Sequence, residues 1–153
     1  MKKIILNGEL GKDKLILVDN ENYKELNKYK WSSKHGYAYN KKLKQMHRLI
    51  MDCPRGMEVD HIDGNPLNNQ KSNLRICTLS ENRKNRKKSL NKTSEYKGVS
   101  WNKHNKSWRA YIGIERKNNC IGYFKNERHA AMAYDLWARE LHGKFARLNF
   151  KNN

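Results

Sequence analysis

Apolar residues along the first half of the chain fall in short runs of strand length, divided by polar turns. Ile4 to Leu6 and Leu15 to Val18 read as two strands around Gly8-Glu-Leu-Gly11, a hairpin. A polar helix is expected at about Glu21 to Lys28, ahead of Trp31, and Gly36-Tyr-Ala-Tyr39 alternates like another strand. His47-Arg-Leu-Ile-Met51 is apolar enough to pack behind a site, and Pro54-Arg-Gly56 is a turn. Next come a strand at Glu58 to His61, a tight loop over the turn formers Asp63 to Asn69, and a strand at Leu74 to Cys77. Thr78 stands three residues before Glu81, the spacing of a capping box, so a helix starts at about residue 79.

The pattern changes after Ser89 to Ser94, a polar stretch without apolar periodicity that reads as a domain boundary. Trp108, Ala110 and Ile112 alternate with Arg109, Tyr111 and Gly113, as in a strand with one buried face. Asn118-Asn119 reads as a turn, and Cys120 to Phe124 as the return strand. Ala130, Ala133, Tyr134, Trp137 and Leu141 then form the apolar stripe of an amphipathic helix, closed by Gly143. The fold class is α+β throughout.

Charge sharpens this picture. The 153 residues include 33 Lys and Arg against 15 Asp and Glu, a net +18. An excess that repels itself calls for a polyanionic partner, and nucleic acid is the default. Arg83, Lys84, Arg86, Lys87, Lys88 and Lys92 concentrate it just after the capping box, with no acid among them. Aromatic residues at 10% argue against a disordered chain. Cys53, Cys77 and Cys120 are odd in number and form no C-x-x-C pair, which excludes a zinc staple or disulfide framework and fits reduced, mostly buried thiols. With no signal-like or membrane-spanning stretch, the expected setting is soluble and cytoplasmic, with no membrane partner.

The chemistry is carried by Asp60-His61, by Asn73 twelve residues on from the histidine, and by Asn82 nine later. An acid and an amide oxygen can hold a hard divalent cation, while a neutral imidazole can take a proton from water. Val59-Asp-His-Ile-Asp-Gly-Asn65, Ser72-Asn-Leu-Arg75 and Thr78-Leu-Ser-Glu-Asn82 resemble the HNH endonucleases of the phage and intron-encoded homing type. That resemblance implies a ββα-metal (His-Me finger) module with His61 as general base and Asn73 orienting its ring. It also implies that Asp60 and Asn82 hold one divalent metal, Mg²⁺ or Mn²⁺, with no small-molecule cofactor. Asn82 stands where the family name has a histidine, which favours an oxygen-bound ion over zinc. Asp63, Asn65, Asn68 and Asn69 read as loop formers and His47 as a core or phosphate-side residue.

Tyr96-Lys-Gly-Val99, Trp108-Arg-Ala-Tyr-Ile112, Ile121-Gly-Tyr-Phe124, Ala130-Ala-Met-Ala-Tyr-Asp135 and Leu148-Asn-Phe150 resemble the ethylene-response-factor (Apetala-type) DNA-binding domain. The resemblance implies a three-stranded antiparallel sheet in the major groove with one helix packed behind it. Lys97 keeps a positive charge where that family has arginines, whereas Ser100, Asn102, Gly113 and Asn118 do not, and Cys120 replaces a tryptophan. The family's target sequence therefore does not transfer.

The expected organisation is a nuclease domain with its hairpin lead-in over residues 1–88, a linker over 89–95 and a DNA-binding domain over 96–150. The expected function is site-directed, metal-dependent hydrolysis of double-stranded DNA by a mobile-element or phage protein in the host cytoplasm; the oligomeric state stays open with a monomer favoured, a monomer nicking and a dimer able to cut both strands. Expected DNA contacts are Arg83, Lys84, Arg86, Lys87 and Lys88 on the backbone, then Lys97, Lys103, Lys106, Arg109 and Tyr111. The competing readings are a non-catalytic DNA-binding regulator with a relic nuclease domain, and an RNA-binding protein.

Overall fold

Turn chemistry and strand alternation set the local elements, and two separate apolar cores assemble them. The computed structural model describes residues 1–8, 14–87, 93–115 and 117–150, and the chain divides into two compact units, Met1–Arg83 and Lys84–Asn153. Most of the Gly8–Gly11 turn, Lys88 and most of the Ser89–Ser94 boundary lie outside the described residues.

The N-terminal unit opens with β1 (Lys2–Asn7) and β2 (Leu15–Val18), followed by α1 (Asn20–Leu26), β3 (Trp31–Lys34), β4 (Tyr37–Asn40), β5 (Lys44–Gln45) and α2 (Met46–Ile50). The strands form one sheet in the order β2-β1-β3-β4-β5. Only β1 and β3 run parallel; the other pairs are antiparallel. Ile4, Leu6, Ile16, Val18, Trp31 and Met46 fill its core, and the Trp31 indole N–H is satisfied by the Leu26 carbonyl at 2.9 Å. Two strands of this sheet escape sequence reading. β3 and β5 are short and half polar, and become strands because neighbouring strands offer them hydrogen bonds.

β6 (Glu58–His61), β7 (Leu74–Cys77) and α3 (Leu79–Lys84) complete this unit as hairpin and helix. The capping box is present: the Thr78 hydroxyl accepts from the Glu81 N–H at 3.2 Å, and the Glu81 carboxylate accepts from the Thr78 N–H at 2.8 Å. The helix ends at Lys84, so Arg86 and Lys87 lie beyond it.

The loop between β6 and β7 is fastened to the lead-in sheet. Leu17 on the edge strand β2 donates to the Leu67 carbonyl at 2.9 Å and accepts from the Asn69 N–H at 2.8 Å, a parallel bridge that covers an open sheet edge. Asp19 precedes α1 without capping it; its carboxylate instead accepts the Lys71 N–H at 2.7 Å. The lead-in thus positions the loop that follows the Asp60-His61 pair.

The second unit holds β8 (Val99–Asn102), β9 (Ser107–Ile114) and β10 (Lys117–Phe124), antiparallel in the order β10-β9-β8, with α4 (Glu127–His142) packed on the sheet. Ala110 and Ile112 face the helix as the alternation requires. Asn118 and Asn119 are not a turn: they lie within β10, opposite Gly113 and Ile112, and the bend falls earlier, after Ile114. The buried stripe of α4 is also rotated from expectation. Ala130, Ala131, Tyr134 and Ala138 are buried, whereas Trp137 is 50% and Leu141 40% exposed. Close approach explains this, because alanines let the helix lie against the strands where tryptophan would hold it off. Gly98 shows how tight the fit is: a Cβ there would fall 2.0 Å from the Tyr134 ring. Among the cysteines, only Cys77 is buried; Cys53 is half-buried and Cys120 exposed.

Candidate active site

β6 delivers two functional groups on consecutive residues, which therefore point to opposite faces of the hairpin. Asp60 lies directly opposite Arg75 in the antiparallel register, and cross-strand neighbours on one face can touch. The Asp60 Oδ2 accepts from Arg75 Nε at 2.8 Å and from Arg75 Nη2 at 2.5 Å. Both side chains are largely buried, at 6% and 15% exposed. Sequence reading missed Arg75 as a partner, since only the register shows it.

His61, on the other face, is buried and packs in a ring cluster. Its ring lies edge-on to His47 with centroids 5.1 Å apart, and Tyr37 closes the group at 5.8 Å from His61 and 5.0 Å from His47. Burial lowers the His61 pKa; Asn69, Asp63 and Asp60 pull it back upward without reversing the shift. His47 is pushed down to about 3, by burial first and then by His61 and Arg48. Both rings are accordingly neutral near pH 7, the state in which an imidazole can accept a proton.

Asn73, the expected amide partner of the ring, bonds within the loop. Its Oδ1 accepts from the Asp63 N–H at 3.0 Å, and its Nδ2 donates to Asp63 Oδ1 at 3.0 Å and to the Asn68 carbonyl at 2.8 Å. Asn73 thus ties the loop together. Asp63, Asn65 and Asn68 bond within the same loop, the role turn formers are expected to take. Burial would raise the Asp63 pKa, but hydrogen bonds from the Asn65 N–H, Asn68 and Asn73 outweigh it and hold the carboxyl below its ordinary value.

Asn82 sits in the first turn of α3, half-buried, its backbone N–H donating to the Thr78 carbonyl at 3.0 Å. No three His, Cys, Asp or Glu side chains converge as a metal cluster among the described residues. What this region offers an ion is carboxylate and amide oxygen, a donor set that fits a hard divalent cation.

Residues 44–84, from β5 to the end of α3, match the family model of the HNH endonucleases. An uncharacterized HNH endonuclease of Acanthamoeba polyphaga mimivirus is 37% identical over 151 residues, covering 91% of this chain and 76% of that protein. The chain belongs to the HNH endonuclease family. Protein 3.8 of Escherichia phage T7 is 42% identical over 94 residues, 61% of this chain and 77% of that one. The SPbeta prophage-derived YosQ of Bacillus subtilis (strain 168), named for the HNH homing endonucleases, is 37% identical over 87 residues, 52% of this chain and 45% of YosQ. The protein is thus an HNH-type endonuclease, and its family membership suggests DNA as the substrate. Among the described residues, no helix is long and apolar enough to cross a membrane.

The remaining basic residues divide by setting. Arg83, Arg86 and Lys87 are exposed and Lys84 half-buried. In the second unit, Lys103 and Lys106 are exposed in the β8–β9 turn. Arg109 and Tyr111 share the sheet face away from α4, the guanidinium 5.8 Å from the Tyr111 ring centroid. Lys97 lies just before β8. It is half-buried, its ammonium donates to the Lys84 carbonyl, and burial followed by Arg147 lowers its pKa to about 8.

Proposed function

We propose that this HNH endonuclease is a site-directed, metal-dependent enzyme of the homing type, hydrolysing phosphodiester bonds in double-stranded DNA. The observation that carries the reading is a buried neutral imidazole, His61, next to a buried carboxylate, Asp60, inside the segment that matches the family. In this reading β6, β7 and α3 act as a ββα-metal module. His61 takes the proton from water, whose oxygen attacks phosphorus while the 3′ oxygen of the cut strand leaves. Asp60 and Asn82 would hold one divalent cation, Mg²⁺ or Mn²⁺, which supplies Lewis-acid neutralisation of the phosphate when bound. Asn73 keeps the intervening loop closed. Arg83, Lys84, Arg86, Lys87 and Lys88 hold backbone phosphates, and the second unit selects the site as an ethylene-response-factor-type domain, with Arg109, Tyr111, Lys103 and Lys106 nearest the DNA. One centre per chain cuts one strand per encounter, so a monomer nicks.

The test is a time course on supercoiled DNA from the protein's own genomic neighbourhood, with Mg²⁺ or EDTA, comparing wild type and His61→Ala. Open circles or linear DNA from wild type with Mg²⁺ alone are expected, and His61→Ala should bind without cutting. Cutting by His61→Ala would overturn the assignment. Binding by wild type without any cutting would favour the non-catalytic regulator.

A further inference from the structure

The Asp60 carboxylate is engaged before any ion arrives. Its Oδ2 accepts two hydrogen bonds from one guanidinium, from Arg75 Nε at 2.8 Å and from Arg75 Nη2 at 2.5 Å. The hairpin register fixes this meeting, since Asp60 on β6 lies directly opposite Arg75 on β7. With the two side chains only 6% and 15% exposed, solvent screens neither charge well. A buried pair of this kind adds little stability over an apolar pair of similar volume, so stability alone is a weak reason to keep it.

The count of negative charges is the second observation. A protein site holds a hard divalent cation through oxygen donors, and its affinity follows the number of charged ones. Among the described residues, no three His, Cys, Asp or Glu side chains converge as a metal cluster. Glu58 stands two residues from Asp60 and so shares its face of β6, while the Glu81 carboxylate is engaged by Thr78 in the capping box. The carboxylate assigned to the cation is therefore neutralised by its own partner. A divalent ion entering there meets a fixed positive charge beside the negative one that attracts it.

We propose that Arg75 keeps the nuclease centre from holding a divalent cation until DNA is bound, the backbone phosphate supplying the negative charge that the Asp60–Arg75 pair withholds. This inference rests on Asp60 being a metal ligand. Magnesium sites commonly combine one or two carboxylates with substrate phosphates, and the guanidinium makes that order obligatory here. Metal uptake is then tied to DNA binding, and the two strengthen each other by the same factor.

Mn²⁺ binding to the full-length protein, read from loss of the free-ion electron paramagnetic resonance signal, tests this without any cleavage. Wild type without DNA should bind with a Kd no tighter than about 1 mM. Arg75→Gln should bind about 30-fold more tightly, and Arg75→Lys, which keeps the charge, close to wild type. An Arg75→Gln protein that is folded by circular dichroism yet binds no more tightly than wild type would overturn the inference. If Arg75→Gln fails to fold, His61→Ala protein is titrated with and without a duplex from its genomic neighbourhood, subtracting ions held by the duplex alone. Binding at least about tenfold tighter on DNA, and lost when Asp60→Asn is added, upholds the proposal; equal affinity overturns it. Asp60→Asn on the Arg75→Gln background keeps the two readings apart. If it leaves Mn²⁺ binding unchanged, Asp60 is no ligand and the metal assignment itself falls. If it weakens binding that Arg75→Gln had not tightened, only the role of Arg75 falls.

Discussion

Asn69 in the first unit and Asn149 in the second are treated in opposite ways. The Asn149 side chain accepts from the Lys97 N–H at 2.7 Å and donates to the Lys97 carbonyl at 3.1 Å and to Asp135 Oδ1 at 3.0 Å. Its backbone N–H, together with that of Phe150, completes the shell of the buried Asp135 carboxylate. These bonds close within the chain and fasten the C-terminal segment to the residues just before β8. Among the described residues, the Asn69 side chain has no such shell. Saturated polar groups hold a fold together; an unsaturated one kept in place by its backbone is available for chemistry.

Four changes would break or sharpen this contrast. The largest effect is expected at the other buried carboxylate, where Arg75→Leu leaves Asp60 without its guanidinium. Removing one partner of a buried pair should lower stability by about 4 kcal/mol in urea unfolding, and a loss under 1 kcal/mol would show the pair to be incidental. Next comes Asn149→Leu, expected to cost about 3 kcal/mol by stranding Lys97 and Asp135 groups. This is the substitution that Asn69 should tolerate, so equal losses at both sites would erase the distinction.

Third, the ring cluster should make the first unit sensitive to acid. The unfolded chain takes up a proton on His47 below its ordinary pKa of about 6.5, whereas the folded chain resists protonation down to about 3. Stability is therefore fully present above pH 6.5 and declines as pH falls. The His47 contribution to that decline is about 2 kcal/mol between pH 8 and pH 5. His47→Phe should flatten the profile by that amount, and an unchanged slope would place the sensitivity elsewhere. The smallest effect is expected from Thr78→Ala, which removes the capping box at about 1 kcal/mol. Circular dichroism melts would register it, and a neutral result would mean that packing alone holds α3.

Much of the site was legible before any coordinates. Asp60 and His61 could be singled out because a strand followed by dense turn formers and a capping box is a locally encoded pattern. The capping box needs only Thr78 and Glu81, and the loop bonds of Asp63, Asn65 and Asn68 close within a few residues. Asn73 was a natural choice for the ring's partner, as an amide at the spacing of the family motif. The bridge that fastens the loop at Asn69 to Leu17 is distant in sequence, and no local rule foretells it. The Asp60–Arg75 pair likewise appears only when the hairpin register sets residue opposite residue.

By itself, then, the sequence determined the α+β class, the strand–loop–strand–helix succession around Asp60 and His61, and a cationic surface in search of a polyanion. These follow from period, turn propensity and charge, which act between near neighbours or on the chain as a whole. Tertiary structure decided which cation meets the Asp60 carboxylate, which face of α4 is buried, and that the Lys97 ammonium bonds the Lys84 carbonyl. Each of those outcomes depends on volume and hydrogen-bond partners brought together from distant parts of the chain. Side-chain size at a close contact, as at Gly98 against Tyr134, overrides a hydrophobic pattern that would have buried Trp137 instead.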